Sequence, residues 1–185
     1  MTLTDFYVIS EKDTRGAMTL VPKLNADFYK VFRSEFIPEY IVECMPSLGS
    51  KTFDFLNSGY AGLYLVSKKI IELFKDNAIS GWSSIPVRIK GYEGYDYYIL
   101  TVTGRCSAIE YEKSESFIKD PFTPTGRPIE AKRGLYFDLN SWDGSDVFTP
   151  EKSMFTFVTD EVKKLLVKNK VTNITFENIT KFELI

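Results

Sequence analysis

Residues 64 to 82, YLVSKKIIELFKDNAISGW, and residues 156 to 174, TFVTDEVKKLLVKNKVTNI, form a near-repeat at an offset of 92 positions. Each copy has the end of an apolar strand, a hydroxyl residue, an amphipathic segment, an asparagine and a return to apolar residues. The pattern therefore predicts two strand–helix–strand units. The matched pairs are Val66 and Val158, Ser67 and Thr159, Ile70 and Val162, Leu73 and Leu165, Phe74 and Leu166, Asn77 and Asn169, and Ile79 and Val171.

The helices of the two units are expected at about residues 68 to 77 and 160 to 169. Ser67 and Thr159 are residue types that cap helix N-termini, and apolar residues recur with helical spacing after each of them. We expect an α+β fold with a mixed, largely antiparallel sheet on which two equivalent helices pack.

The length of 185 residues fits a single globular domain over 1–185. The domain can also divide into an N-terminal subregion, 1–52, and a region 53–185. Aromatic residues make up 15% of the chain, including 15 Phe and 11 Tyr. A Phe- and Tyr-rich sheet accounts for most of them.

The formal net charge is −2 and the basic residues are scattered, so a nucleic-acid partner, which requires a basic face, is not expected. The sequence MTLTDFYVIS lacks the features of a signal peptide, and the apolar stretches are too short to span a membrane. We therefore expect a cytoplasmic protein, with Cys44 and Cys106 reduced and mostly buried.

The chain contains no histidine, which removes the Ser-His-Asp and Cys-His mechanisms. Two cysteines cannot build a thiolate zinc site, and no phosphate-binding glycine motif is present. No cofactor is expected. General acid–base chemistry would have to use carboxylates, Lys or Tyr.

The middle of the chain gives weaker signals. Tyr97 to Val102 is strongly apolar and predicts a strand, followed by a turn at Thr103-Gly104 and a return strand over 106–111. The Pro- and Gly-rich stretch 112–134 is predicted to be a loop, and 134–139, GLYFDL, a strand.

Two aromatic–acidic clusters are candidates for a site. The first is Trp142 with Asp143 and Asp146, to which Asp138 adds a carboxylate. This cluster can be a solvated turn, a weak metal site without EF-hand spacing, or a Trp anchor at a protein interface. Trp142 can equally lie in the core.

The second cluster lies in the stretch GYEGYDY and includes Tyr92, Glu93 and Tyr95. It can be a hairpin turn or an aromatic–acidic contact patch. Together with the first cluster, it gives six candidate partner-binding residues: Trp142, Asp143, Asp146, Tyr92, Glu93 and Tyr95.

The order VSKKIIELFKDNAISGW, IPVRI, YYILTV, AIEYEKSE, LYFDL, DVF and FVTDEVKKLLVKNKVTNITF resembles the immunity proteins of bacterial polymorphic-toxin systems. The resemblance is to the domain of unknown function 1629, or immunity protein family eleven, and covers about residues 54 to 180. Family members usually have Gly before the last strand, where this chain has Asn173. The first fifty residues carry no resemblance.

The resemblance implies a protein that binds and neutralises a cognate toxin without catalysis. Two alternatives stay open. A small-ligand or carboxylate-based enzyme domain would use Glu110, Glu112, Asp138 and Asp146 in a cleft between the units. A structural subunit would form a homodimer through an exposed apolar face.

Overall fold

Strands dominate the chain in the computed structural model, which describes residues 1–121, 123 and 125–184. The strands are β1 (Phe6–Glu11), β2 (Thr19–Pro22), β3 (Val42–Leu48), β4 (Phe55–Asn57), β5 (Tyr64–Ser67), β6 (Trp82–Ile89), β7 (Tyr97–Val102), β8 (Gly104–Cys106), β9 (Glu115–Lys119), β10 (Ile129–Arg133), β11 (Val147–Pro150), β12 (Phe157–Thr159), β13 (Ile174–Asn178) and β14 (Glu183–Leu184). The α-helices in the described part are α1 (Phe28–Phe32), α2 (Lys68–Asp76) and α3 (Asp160–Lys168).

The strands form three sheets rather than one central sheet. Their orders are β13-β1-β12-β11-β8, β14-β10-β9 and β2-β3-β6-β7-β5-β4. Only the pairs β3–β6 and β8–β11 are parallel among the described pairings. The prediction of a mixed, largely antiparallel α+β fold is confirmed at this level, but the strands are divided among three sheets where one central sheet was predicted. The reason is that each predicted unit contributes its strands to a different sheet, and α1 forms a third helix.

The helices α2 and α3 lie where they were predicted and contact each other. Both end in the same way. The side-chain amides of Asn77 and Asn169 donate to the carbonyl oxygens four residues earlier, at 2.8 and 2.9 Å. The following residues, Ala78 and Lys170, have positive φ angles of 52° and 51°. A left-handed residue at this position ends a helix and turns the chain back toward the sheet.

Each helix connects two strands that are separated by one antiparallel strand. In the six-stranded sheet β7 lies between β5 and β6, and Tyr98 pairs with Val66 on one side and Pro86 on the other. In the five-stranded sheet β1 lies between β12 and β13, and Tyr7 pairs with Val158 and Asn178. The N-terminal strand therefore completes the sheet that contains the C-terminal helix unit.

Residues 1–52 contribute one strand to one large sheet and two strands to the other. β1 belongs to the five-stranded sheet, whereas β2 and β3 belong to the six-stranded sheet. The buried Arg33 adds a link to β11, because its Nη1 donates to the Pro150 carbonyl at 3.2 Å. The division of the chain near residue 53 stays a prediction.

Local predictions between residues 103 and 139 were largely wrong. The backbone N–H groups of Thr103 and Gly104 both donate to the Gly81 carbonyl, at 2.9 and 3.0 Å. The chain then forms β8, which pairs with β11 instead of returning along β7. In 134–139, Leu135 and Phe137 are buried as in a strand, but their backbone makes isolated hydrogen bonds and no ladder.

The predicted loop 112–134 contains the antiparallel pair β9 and β10. Arg133 holds this pair at one end. Its guanidinium lies 4.4 Å from the centre of the Phe117 ring and forms ion pairs with Glu115 at 3.5 Å and Glu183 at 3.0 Å. Residues 122 and 124 of the predicted loop lie outside the described residues.

The core consists of two clusters. The larger one includes buried residues of α2, α3 and both large sheets and contains Cys44. The smaller one is aromatic and contains Cys106. Both cysteines are free and buried, as predicted, and burial raises the pKa of each thiol to about 12. The thiols therefore stay protonated and unreactive near neutral pH.

None of the helices described is long and apolar enough to cross a membrane.

Candidate functional site

A groove of about 570 Å³ opens on one side of the six-stranded sheet. The groove is lined by the loop before β3, residues 37–41, by β6 and by the turn 92–96. We call the loop the first wall, β6 the floor and the turn the far wall. Three apolar side chains on the walls are strongly exposed: Ile37 at 62%, Ile41 at 61% and Tyr95 at 49%. The groove is therefore an accessible, mainly apolar surface with polar groups at its ends.

The loop that forms the first wall is held at both ends. At its start the Arg33 side chain is buried, and Arg105 donates a hydrogen bond to the Arg33 carbonyl. Farther along, the Tyr40 hydroxyl accepts a hydrogen bond from the Asn25 backbone at 2.9 Å, and Pro38 is buried. These contacts fix the loop, so the groove is formed before any partner binds.

The floor of the groove is an open strand edge. β3 pairs with β6 only from Val87 onward, so the stretch from Ser84 to Pro86 has no strand on that side. The Lys90 backbone N–H donates to Cys44 of β3 at 3.2 Å. Backbone groups alternate in direction along a strand, so the nitrogen of Pro86 also faces this edge and provides no donor there.

The far wall carries three of the predicted site residues. Tyr92, Glu93 and Tyr95 lie in the turn between β6 and β7, and the two tyrosine rings are 6.0 Å apart at 55° to each other. Glu93 is fully exposed, and hydrogen bonds from its own backbone N–H and from Gly91 lower the pKa of its carboxyl. The Gly91 bond is 3.0 Å long. Glu93 is therefore ionised at neutral pH.

The groove has an excess of negative charge. Its lining includes three carboxylates, Glu39, Glu93 and Asp96, and one guanidinium, Arg88. The exposed Lys68 ammonium lies 4.0 Å from Asp96 but also 3.8 Å from Glu72. Glu39 comes from the loop and Glu93 from the turn, so both segments contribute a carboxylate to the lining of the groove.

Trp142, the predicted anchor, is half-buried in the aromatic cluster. Its ring centre lies 5.1 Å from that of Phe6 in an edge-to-face arrangement, and 5.8 Å from that of Phe148. The indole N–H donates to the Ser145 carbonyl at 3.0 Å. The side chain thus fixes its own loop against the core.

Asp143 and Asp146 also have intramolecular partners. Asp143 accepts from the Arg105 backbone at 2.7 Å and from Ser145 at 3.0 Å. Asp146 accepts from the backbone and the hydroxyl of Ser80, at 2.9 and 2.7 Å. The Thr159 hydroxyl also approaches Asp146, at 3.5 Å. These carboxylates hold the 142–146 loop onto neighbouring elements.

Asp54, which sequence reasoning missed, makes the same set of contacts 92 positions earlier. It accepts from the Ser67 hydroxyl at 2.8 Å and from the backbone and hydroxyl of Thr172, each at 2.9 Å. Lys69 adds an ion pair at 3.2 Å. Burial raises the pKa of Asp54, but the hydrogen bonds from Thr172, Ser67 and Lys69 together lower it.

Asp54 and Asp146 each connect the two helix units. Asp54 bonds to the cap of α2 and to Thr172, which follows α3; Asp146 approaches the cap of α3 and bonds to Ser80, which follows α2. The signal was present in the sequence, because the 92-residue offset relates Asp54 to Asp146 and Ser80 to Thr172. We call these two sets of contacts the crossed clasps.

The two predicted site clusters are not brought together. Asp146 binds Ser80, just before β6 begins, whereas Tyr92 lies just after β6 ends. The eight residues of β6 separate the two places by about 23 Å, given a rise of about 3.3 Å per residue. A protein partner with an interface of ordinary size could contact both clusters, but the two clusters do not form one site.

The carboxylates of the alternative enzyme site have separate partners. Glu110 forms an ion pair with Lys113 at 2.6 Å, Asp138 accepts from the Asn140 backbone at 3.0 Å, and Asp146 belongs to a crossed clasp. Neither these residues nor Glu112 line the groove. Within the described residues, no three His, Cys, Asp or Glu side chains are placed to hold a metal ion.

A preformed groove with aromatic and acidic walls is typical of a surface that binds another macromolecule. Residues 35–181 match the model of the immunity protein family (Imm11), so the chain belongs to this family. The match begins earlier than the predicted residue 54 and includes the groove loop. No curated protein matches the chain.

Asn173, the predicted departure from the family pattern, has a positive φ of 62°. Its counterpart at the 92-residue offset, Gly81, has a φ of 83°. Gly is the usual residue in this left-handed region, and Asn is one of the few others that adopt it readily. The buried Asn173 amide also donates to Glu11 at 2.9 Å and to the Phe55 carbonyl at 2.8 Å. Asn173 therefore keeps the backbone conformation and adds a contact between the two large sheets.

Proposed function

We propose that this chain is a cytoplasmic immunity protein that binds and neutralises a cognate bacterial toxin domain. Membership of the family supports an immunity role without catalysis. The observation that carries the proposal is the groove, which lies within the matched residues and has exposed aromatic and aliphatic side chains on a fixed loop and turn.

The groove has the composition of an interface centre. Tyr92 and Tyr95 offer large, rigid contact surfaces that are common at binding hot spots. Ile37 and Ile41 project apolar surface from the opposite wall. Since the loop and turn are already fixed, binding costs little conformational entropy. Occupation of the groove would place the protein over the toxin's active site or substrate surface.

The other predicted partner-binding residues, Trp142, Asp143 and Asp146, stay a prediction. Their side chains hold their own loop through intramolecular contacts, so the proposal rests on the groove residues Tyr92, Glu93 and Tyr95. A homodimer also stays a prediction.

Calorimetry against the toxin domain encoded beside this chain tests the proposed surface. Tyr95→Ala and Ile41→Ala should each weaken binding by about 2 kcal/mol, or about 30-fold, because both remove exposed apolar surface from the groove. The matched control is Ile118→Ala, which removes a side chain that is 66% exposed on the three-stranded sheet. Its affinity should equal that of the wild type.

Circular dichroism should show that all three variants are folded. Wild-type affinity in both groove variants would place the interface elsewhere. Absence of wild-type binding would contradict the immunity function for that toxin.

We further propose that the two strand–helix–strand segments are equivalent halves of one scaffold. The crossed clasps, the matched helix ends and the central strands β7 and β1 support this equivalence. In this arrangement the central strand of each half lies outside the strand–helix–strand segment of that half. β1, for example, precedes the first segment in the chain but lies in the sheet of the second.

A further inference from the structure

We infer that the groove recognises a basic side chain, arginine or lysine, that projects from an apolar surface segment of the toxin. The inference rests on the proposed function and specifies the chemistry of the partner. Three features of the groove carry it: its strand edge, its carboxylates and its apolar walls.

The strand edge favours recognition through side chains over addition of a partner strand. A strand added along β6 would need backbone donors and acceptors at alternate positions between Ser84 and Pro86. Pro86 has no N–H, and its nitrogen faces the groove edge. An incoming strand would therefore lose a ladder hydrogen bond in the middle of the pairing.

The carboxylates favour a cation. Glu39 on the loop and Glu93 on the turn both line the groove, and Glu93 is held ionised by backbone hydrogen bonds. Tyr92 and Tyr95 also line it, and aromatic rings of this kind attract an ammonium or guanidinium group. Arg88 is the one basic residue in the described lining, so the excess charge there is negative.

The apolar walls indicate what surrounds the cation. Ile37 and Ile41 are more than half exposed, and Val87 of β6 lies between the walls. An arginine or lysine buries its aliphatic stem against such surface while its charged end reaches a carboxylate. Residues that flank the basic side chain on the toxin must then be apolar to cover the isoleucines.

The experiment compares charge variants in calorimetry against the toxin domain, at about 50 mM and about 300 mM salt, a range over which screening of exposed charges changes strongly. The double variant Glu39→Gln/Glu93→Gln should bind roughly tenfold more weakly at low salt, with a flatter salt dependence. Arg88→Gln should bind more tightly, because it removes the groove's own cation. Glu130→Gln, an exposed carboxylate on β10, is the matched control and should equal the wild type.

The outcomes separate this inference from the proposed function. If the double variant keeps wild-type affinity and salt dependence while Tyr95→Ala weakens binding, the groove binds the toxin without a cation and the inference is wrong. If Glu130→Gln has the same effect as the double variant, the charge effect is not specific to the groove, which also overturns the inference. If neither Tyr95→Ala nor Ile41→Ala has an effect, the proposed surface fails.

Discussion

Replacing Asp54 with alanine should lower the free energy of unfolding by about 3 kcal/mol, because a mostly buried carboxylate that accepts several hydrogen bonds would be lost. The Asp54 side chain is 16% exposed and connects the cap of α2 with the residues after α3. Urea denaturation of the wild type and the variant measures the change. If the free energy of unfolding falls by less than about 1 kcal/mol, the value of a single ordinary hydrogen bond, this crossed clasp does not stabilise the fold as proposed.

The pH dependence provides an independent readout of the same residue. Hydrogen bonds lower the pKa of Asp54 in the folded state, while an unfolded Asp has a pKa of about 3.9. The stabilisation is therefore present above about pH 4 and is lost as the pH falls through the lowered pKa. In the isosteric variant Asp54→Asn, the free energy of unfolding should fall less steeply at acidic pH than in the wild type. If its pH dependence equals that of the wild type, Asp54 does not contribute to the acid destabilisation.

The variant Asp146→Ala is the natural comparison, since it breaks the second crossed clasp. We expect a smaller loss, because Asp146 has no ion pair corresponding to that of Asp54 with Lys69, and its contact with Thr159 is long at 3.5 Å. A stabilising effect of Asp146→Ala would contradict the proposed equivalence of the two halves.

Replacing Trp142 with alanine should also lower the free energy of unfolding by about 3 kcal/mol, near the lower end for aromatic residues cut back to alanine. The indole packs on Phe6 and Phe148 and donates to Ser145. Because these contacts are intramolecular, the affinity for the toxin should stay within about twofold of the wild type, a change of about 0.4 kcal/mol. Thermal denaturation and calorimetry together measure both quantities.

The conservative variant Trp142→Phe is the control for this prediction. It keeps an aromatic ring between Phe6 and Phe148 but removes the N–H group, so its loss of stability should be smaller. If Trp142→Ala leaves stability unchanged and weakens binding strongly, Trp142 is an interface anchor, as one interpretation of the sequence had it.

The sequence was most informative where structure depends on nearby residues. The bounds of α2 and α3 followed from the hydroxyl caps, the helical spacing of apolar residues and the asparagines at the ends. Cys44 and Cys106 were correctly predicted to be buried. Both results depend on local pattern and composition, which a single sequence contains.

The errors arose where structure depends on distant pairing. Leu135 and Phe137 alternate as in a strand, but their stretch makes isolated backbone hydrogen bonds, such as that from Leu135 to Ile179, instead of a ladder. The position of β1 between β12 and β13 joins residues more than 140 positions apart, and no local signal specifies it. The sequence analysis singled out Tyr92, Glu93 and Tyr95 but not Ile37 and Ile41, which line the same groove from a different part of the chain.

The order of the strands in each sheet also determines when that sheet can form during synthesis. All six strands of the sheet that carries the groove lie within residues 19–102, whereas β1 must wait until β12 and β13 have been synthesised. At about 5 to 20 residues per second, that wait is on the order of 10 s. The surface for the partner is therefore encoded by one contiguous stretch of chain that can pair early. The five-stranded sheet closes later, when β12 and β13 reach β1.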